Sequence, residues 1–229
     1  MPVAPDADAA DRTTNPFEPP GRYGRDSVEF GRALAFFDAT YSIAATLLVV
    51  TLNPTDADWH DWSAFVTNEW SSLVCFAISF VVITSYWWIN HRLVATMDSL
   101  NARFVACAMT MLGFVALIPF TTEGLSDFAD DSKGTVATIV YAANVTVVSV
   151  LAGLLVVVAY RERLFRHQPS RRELTARLLD MADTPFIFLA SIPVTVLLGP
   201  SWGRTSWALL FFTGPLSHRL SDRYAGRPT

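Results

Sequence analysis

Charged and hydroxyl side chains interrupt the first long apolar run of the chain, RALAFFDATYSIAATLLVVTL, which covers residues 32–52. Arg32 opens the run, Asp38 follows six residues later, and Ser42 and Thr46 come at further intervals of four. An ionisable residue inside a membrane is costly and marks an ion path, a proton relay or a contact between helices. Hydroxyl oxygens can also replace part of the hydration shell of a cation. A simple membrane anchor needs none of these groups.

Arg32 and Asp38 cannot form a pair along one helix face, because six residues turn an ideal helix by about 240°. Each therefore needs a partner from another helix. Asn90 and His91 close the next apolar run, and an antiparallel neighbour would bring them close to the depth of Asp38. We expect these four residues to form an inner polar cluster. Two roles remain open for it: a structural lock between two helix ends, or part of an ion or proton path.

A second group of residues lies further along the same run. Ile43, Thr46 and Val50 are spaced i, i+3, i+7 and share a face, with Leu47 beside them and Ser42 one turn below Thr46. The spacing fits a helix whose hydroxyls bond to backbone carbonyls and whose aliphatic side chains pack. From the spacing alone, this packing role is favoured over a face that lines a path through the membrane.

The composition places these residues in an all-α, polytopic membrane protein. The 229 residues are 52% hydrophobic and 17% charged, and the apolar residues lie in blocks long enough to cross a bilayer. There is no GxSxG, HExxH, phosphate-loop or TVGYG motif, and the four histidines show no metal-ligand spacing. The sequence therefore predicts neither an enzyme nor a nucleic-acid-binding protein, and no cofactor.

The apolar blocks predict six transmembrane helices within a domain of residues 28–220. A disordered cytoplasmic tail, residues 1–27, precedes it, and a polar cytoplasmic tail, residues 221–229, follows it. After the fourth helix, an arginine-rich stretch is either an amphipathic surface segment or a solvated loop. The last two helices are short and joined by the linker GPSWGRT, and one hairpin bent by prolines is compatible with this pattern. The predicted helices cover residues 28–52, 64–91, 100–123, 135–160, 182–198 and 206–218.

The distribution of positive charge predicts the orientation. With a cytoplasmic amino terminus, every Lys and Arg except Lys133 and Arg204 falls on the inner side, while the outer loops are acidic. This asymmetry is typical of cytoplasmic segments and favours an even number of spans with both termini inside.

The string Arg32-x-x-x-Phe36-Phe37-Asp38-Ala39, followed by Ser42-Ile43-x-x-Thr46-Leu47, resembles the RxxxFSD signature in the first helix of the transmembrane protein 175 family, which comprises potassium channels of lysosomes and prokaryotes. Further pieces resemble the same family. Trp87-x-x-Asn90-His91 matches the end of its second helix, Asn101 the start of its third helix, and Pro119-Phe120-Thr121 the end of that helix.

The resemblance implies a homotetrameric, potassium-selective channel of a bacterial plasma membrane, with helix 1 of each subunit lining the pore. Ile43 would form the main hydrophobic constriction, Thr46 a hydroxyl ring beside it, and Val50 a second apolar ring, with Ser42 and Leu47 on the same lining. Monovalent cations, potassium above all, would be the permeant species. The inner polar cluster would comprise Arg32, Phe36, Asp38, Trp87, Asn90 and His91.

The sequence departs from the family pattern at two positions, both in or beside the inner polar cluster. Phe37 stands where the family has serine, and Asn90 where it usually has histidine. Two other classes of function remain open. One is a proton-coupled secondary transporter that titrates Asp38 and His91, although helix 1 lacks the Gly or Pro interruption that such carriers show near mid-membrane. The other is a non-transporting membrane scaffold in which the polar residues only join helices.

Overall fold

Helices form most of the structure, a computed structural model that describes residues 21–52, 61–127, 132–210 and 213. Two short strands, β1 (Tyr23–Gly24) and β2 (Ser99–Leu100), pair antiparallel, with Tyr23 opposite Leu100. A 3₁₀ turn, Leu48–Thr51, continues the first helix, and another, Trp207–Leu209, follows the last. The helices are α1 Val28–Leu47, α2 Trp62–Ala95, α3 Ala102–Ala116, α4 Ile118–Asp127, α5 Ser132–Arg161, α6 Arg171–Asp180, α7 Asp183–Leu198 and α8 Pro200–Ser206.

Polar side chains define where several of these helices begin. The Ser27 hydroxyl accepts a hydrogen bond from the Phe30 amide at the start of α1, and the Asn101 side chain accepts one from the Phe104 amide at the start of α3. Ser170 forms a reciprocal capping box with Glu173 at the start of α6. Such caps satisfy amides that have no partner within the helix, so they fix the register of each helix start.

Helix α5 lies at the centre of the core and packs against α3, α4 and α7. One of its faces buries Tyr141, Val145, Val148 and Ala152 almost completely. The Tyr141 ring also contacts Phe188 of α7 and Trp207, with centroid separations of 6.2 and 5.1 Å. Helix α1 stands at the edge, in contact with α2 and α3, and its opposite side is left open.

The described residues contain five segments long and apolar enough to cross a membrane: Val28–Thr51, Glu69–Ala95, Ala102–Leu125, Lys133–Arg161 and Arg171–Leu198. They correspond to the first five predicted helices. Most of the predicted sixth helix, residues 206–218, falls outside the described residues.

The predicted third helix, residues 100–123, is divided at Leu117 into α3 and α4. Proline explains the break: Pro119 cannot donate to the carbonyl of Val115, and its ring clashes with that turn. The Asn144 side chain of α5 donates to the Phe114 carbonyl at 3.2 Å, which supplies a partner at the interrupted end. The two pieces together still form one candidate span.

The linker GPSWGRT is helical, contrary to the prediction of a loop. Gly199 takes a positive φ of 96° between α7 and α8, a conformation that glycine adopts without steric cost. Helix α8 then folds back onto α7 so closely that a Cβ on Gly203 would lie 1.9 Å from the Thr195 Oγ1 atom. Helices α7 and α8 therefore form a tight turn within the described residues, whereas the predicted hairpin of residues 182–198 and 206–218 lies partly outside them.

Residues 21–27, predicted as the end of the disordered tail, have regular structure. Beyond the β1–β2 pair, the Arg25 guanidinium donates to the carbonyls of Ala95 and Met97 at 3.3 and 3.0 Å. Arg22 donates to the Glu162 carbonyl at 2.8 Å. We call the contacts among residues 22–25, 95–101 and 162–166 the inner hub. Residues 1–20 of the predicted tail lie outside the described residues, as does its counterpart 221–229.

The arginine-rich stretch after α5 contains α6, whose amphipathic character matches one of the two predicted alternatives. Leu174 and Leu178 pack against the core, while Arg171 and Arg172 are exposed. Leu178 reaches α5 at the level of Gly153, so α6 lies alongside α5 rather than extending away from it.

Candidate functional site on helix α1

Helix α1 has one buried face and one exposed face. Phe37, Tyr41, Ala44 and Leu48 recur every three or four residues and are at most 2% exposed. The opposite side presents residues that no other element of the described chain covers, and Ile43 is 58% exposed there. We call these residues the exposed face of α1: Ser42, Ile43, Thr46, Leu47 and Val50.

The hydroxyl groups of the exposed face bond to their own helix. The Ser42 hydroxyl donates to the Asp38 carbonyl at 2.8 Å, and the Thr46 hydroxyl donates to the carbonyls of Ser42 and Ile43, each at 3.0 Å. A hydroxyl has one donor and two acceptor lone pairs, so both oxygens retain acceptor capacity. They satisfy the backbone, as one of the two predicted roles requires, and can still coordinate a cation.

Apolar and polar residues form two adjacent stripes on this side of α1. Ile43, Leu47 and Val50 lie in line with Phe36, seven residues before Ile43, and Phe36 is 53% exposed. Asp38, Ser42 and Thr46 form the neighbouring stripe at intervals of four. Phe36 therefore lies with the exposed face rather than inside the inner polar cluster. Val50 sits in the 3₁₀ turn, where it is 71% exposed, so the α-helical spacing used to place it changes just before its position.

The inner polar cluster brings together residues of α1 and α2. The indole Nε1–H of Trp87 donates to the Asp38 carboxylate at 2.9 Å, and the ring of His91 stacks on Trp87 with a centroid separation of 5.3 Å. Asn90 is only 6% exposed, and its Oδ1 atom has no hydrogen-bond partner within the described part of the chain. Asp38, Asn90 and His91 line one small cavity, so the structure places these three predicted residues close together.

Arg25, rather than Arg32, provides the cation at this cluster. A small cavity of about 110 Å³ is lined by Arg25, Phe37, Asp38, Asn90 and His91, together with Leu34, Val94 and Ala95. Arg32 is exposed and does not line it. Within residues 21–52, 61–127 and 132–210, the structure shows no ion pair between Arg32 and an acidic side chain. Arg25 was missed because a two-residue strand places it here, and so short a strand leaves no periodic pattern in the sequence.

The fold and this site define a class: a polytopic helical membrane protein in which one candidate span exposes hydroxyl groups and aliphatic side chains on an uncovered face. Residues 32–119 match the family model described as the endosomal/lysosomal potassium channel TMEM175. The matched segment begins at Arg32 and includes the exposed face of α1 and the whole of α2.

Two curated relatives carry the name potassium channel. One, from Streptomyces collinus, is 30% identical over 119 residues, a match that spans 49% of this chain and only 56% of that relative. The other, from Chamaesiphon minutus, is 25% identical over 173 residues, which span 74% of this chain and 85% of the relative. Both relatives are named as channels, which are not enzymes, and this agrees with the prediction that the chain is not an enzyme.

A solved structure shares the fold. It is described as the crystal structure of a lysosomal potassium-selective channel TMEM175 homolog from Chamaesiphon minutus. It aligns with a TM-score of 0.68 and 22% identity over 86% of this chain and 100% of the other. The family match over residues 32–119 and the two relatives confirm the predicted resemblance to the TMEM175 family, and the solved structure shows that the fold is shared.

Proposed function

We propose that this protein is a potassium-selective cation channel whose pore is lined by the exposed face of α1. One observation carries the proposal: within a candidate membrane span, Ser42, Ile43 and Thr46 point away from every described element of their own subunit. The Ser42 and Thr46 hydroxyls donate to carbonyls of their own helix, but their remaining acceptor lone pairs would find no donor in hydrocarbon. A water-filled path between subunits gives this face a suitable environment, and both relatives are named as potassium channels.

The proposed pore contains four subunits arranged around an axis beside α1. Four copies of Ile43 would form a hydrophobic constriction that closes by dewetting, and Val50 would form a second apolar ring. Thr46 and Ser42 would offer oxygens to a cation that has shed part of its water. Potassium would pass in preference to sodium because it gives up hydration water at lower cost, without a loop of the TVGYG type.

The proposed setting is the plasma membrane of a bacterium, with both termini in the cytoplasm. The charge asymmetry supports this orientation, because Arg22, Arg25 and Arg103 gather at the inner hub. It requires an even number of spans, so the predicted sixth helix completes the topology.

The decisive experiment measures ion flux through the full-length protein in liposomes under opposed potassium and sodium gradients. We expect a reversal potential that follows potassium. Ile43→Asn should increase conductance because it wets the constriction, and Ile43→Ala should widen the pore and weaken selectivity. Val150→Ala is the matched control, since Val150 on α5 is 56% exposed but lies on another span. If the wild type shows no conductance and neither Ile43 variant gains any, the pore assignment is refuted.

The alternative of a proton-coupled carrier requires Asp38 and His91 to exchange protons. In the structure, the Asp38 carboxylate accepts from Trp87, whose ring also stacks on His91. This arrangement suits a lock between α1 and α2, so we assign the inner polar cluster the role of holding the two helix ends together.

A further inference from the structure

A second cavity is lined by residues of α2, α5, α6 and α7 and by none of α1. Its volume is about 210 Å³, less than the roughly 300–1,000 Å³ of sites for drug-sized ligands but several times the ~30 Å³ share of one water molecule. It therefore suits a small polar group. Its lining consists of Tyr86, Trp88, Ile89, Arg92, Ser149, Ala152, Arg177, Asp180, Met181, Asp183 and Thr184.

The charged groups of this cavity are of both signs. Arg92 of α2 and Arg177 of α6 supply two guanidinium groups, and Asp180 and Asp183 supply two carboxylates. The Arg177 Nη1 atom lies 3.7 Å from the Asp180 Oδ2 atom, and the two side chains are 29% and 10% exposed. The carboxylates would repel a ligand that is only anionic, and the guanidinium groups would repel a ligand that is only cationic. The arrangement favours a ligand that carries both charges.

The cavity lies at the break between α6 and α7, within the candidate span Arg171–Leu198. Its α6 side follows the arginine-rich stretch after α5, so it belongs to the side of the protein that the charge asymmetry assigns to the cytoplasm. Trp88, which lines the cavity, is 52% exposed, and two large apolar residues close in sequence to its lining are also exposed: Leu179 to 53% and Phe186 to 72%. On a membrane-spanning surface such side chains are in place to contact acyl chains.

We propose that this cavity binds the headgroup of a phosphoethanolamine phospholipid from the inner leaflet. Its phosphate lies between Arg177 and Arg92, whose N–H groups are suited to phosphate oxygens. Its ammonium donates to the carboxylates of Asp180 and Asp183. The acyl chains follow the exposed surface beside Leu179 and Phe186, which a soluble phosphate compound would leave uncovered. Pockets with basic residues between transmembrane helices on the cytoplasmic side are known to hold lipid headgroups.

Native mass spectrometry of the full-length, delipidated protein tests this proposal. The protein is incubated with phosphatidylethanolamine, phosphatidylcholine or phosphatidylglycerol of identical acyl chains. We expect retention of phosphatidylethanolamine to exceed that of the other two by about tenfold. Phosphatidylglycerol lacks an ammonium group, and the methylated ammonium of phosphatidylcholine has no N–H to donate. Equal retention of all three lipids would overturn the proposal.

Variants separate the two halves of the site. Asp183→Asn should reduce the preference for phosphatidylethanolamine over phosphatidylglycerol, because it removes one of the two carboxylates, and Arg177→Gln should lower the retention of both lipids. Arg171→Gln is the matched control, because Arg171 is exposed on the same helix but does not line the cavity. If the control lowers retention as much as Arg177→Gln does, the site is wrong. Asp183→Asn changes no side-chain volume, so it tests the site even where Arg177→Gln fails to fold.

Soluble competitors distinguish a lipid from a free phosphate compound. Glycerophosphoethanolamine and inorganic phosphate should leave bound phosphatidylethanolamine in place, because neither contacts the apolar surface beside the cavity. Complete displacement by either one would identify a soluble ligand and refute the lipid. Since the measured quantity is binding, the result is independent of whether the protein conducts ions.

Discussion

At the scale of single residues, the polar groups of α1 differ in what they bond. Ser42 and Thr46 donate to carbonyls of their own helix, so they place no demand on the rest of the subunit. Asp38 instead accepts from Trp87 of α2, a contact between two candidate spans. The lock between the helices therefore depends on one indole donor, whereas the hydroxyls are left with acceptor lone pairs toward the uncovered side.

Trp87→Phe tests this lock. The change removes the N–H donor and keeps an aromatic ring against His91, so it should lower the free energy of unfolding by about 1 kcal/mol, the typical net value of one hydrogen bond. Thermal unfolding of the purified protein measures it. Trp70→Phe on the same helix is the control, because Trp70 is 63% exposed and lies a long way from Asp38. Equal destabilisation by both variants would mean that the Asp38 contact adds nothing.

Sequence reasoning placed some cluster residues correctly and missed others for a physical reason. Asp38, Asn90 and His91 could be brought together from helix length and antiparallel packing alone. Phe36 was assigned to the cluster by resemblance, although its spacing of seven from Ile43 already indicated the exposed face. Arg25 could not be found, because its position depends on hydrogen bonds from its guanidinium to backbone carbonyls about seventy residues further along the chain.

At the scale of elements, the inner hub links the start of α1 to the ends of α2 and α5. The amide of Arg25 donates to the Asp98 carbonyl at 2.9 Å, and the amide of Asp98 donates to the Leu164 carbonyl at 2.9 Å. Three chain segments are thereby joined through backbone groups. If the inner end of α1 moves, the connection between α2 and α3 must move with it, or these hydrogen bonds must break.

The hub should become less stable in acid. A hydrogen bond from Arg103 at 2.7 Å, assisted by its charge and by Asn101, lowers the pKa of the Glu162 carboxyl from its ordinary 4.5. A lowered pKa means that the pair stabilises the folded state above 4.5 and that this contribution disappears as the pH falls through the lowered value. In thermal unfolding, the wild type should be more stable than Glu162→Gln above pH 4.5, and this difference should disappear as the pH falls through the lowered pKa. A constant difference between the two proteins would contradict the assignment.

The packing of α8 on α7 gives a second prediction for elements. Gly203→Ala places a Cβ 1.9 Å from the Thr195 Oγ1 atom, so it should destabilise the protein by about 1–3 kcal/mol. Thr195→Ala in the same chain removes that oxygen and should restore part of the loss, as a double-mutant cycle measures. Gly113→Ala on α3 is the control: its Cβ would have no atom within 4 Å, and it should stabilise by roughly 0.5–1 kcal/mol.

The sequence located helices better than it located their interruptions. Long apolar blocks set the first five spans, since length and composition suffice to recognise them. The break at Leu117 could be expected from Pro119, but α8 could not. Glycine and proline in GPSWGRT are typical of turns. The helix there packs closely on α7 through Gly203 and Thr195, a tertiary contact that the local sequence does not reveal.

At the scale of the whole molecule, no element of the described residues covers one side of α1. The buried share of the membrane-spanning window is 50% for α5 and 22% for α1, the same value as for Glu69–Ala95 and Arg171–Leu198, so low burial alone does not distinguish α1. The uncovered side of α1 combines hydroxyls with large aliphatic side chains. A ring of subunits would cover the apolar stripe and leave the polar stripe beside water, which a single subunit in lipid cannot do.

This arrangement predicts that α1 of one subunit lies near α1 of the next. With Cys75 and Cys107 replaced by serine, Ile43→Cys should yield disulfide-linked dimers under mild oxidation in membranes, because copies of position 43 would face one axis. Val150→Cys on α5, 56% exposed in the subunit, should remain monomeric on the same gel and controls for random collision. Native mass of the purified protein should correspond to four copies. A monomeric mass, or equal cross-linking at both positions, would place α1 against lipid instead and leave its hydroxyls as partners of the backbone alone.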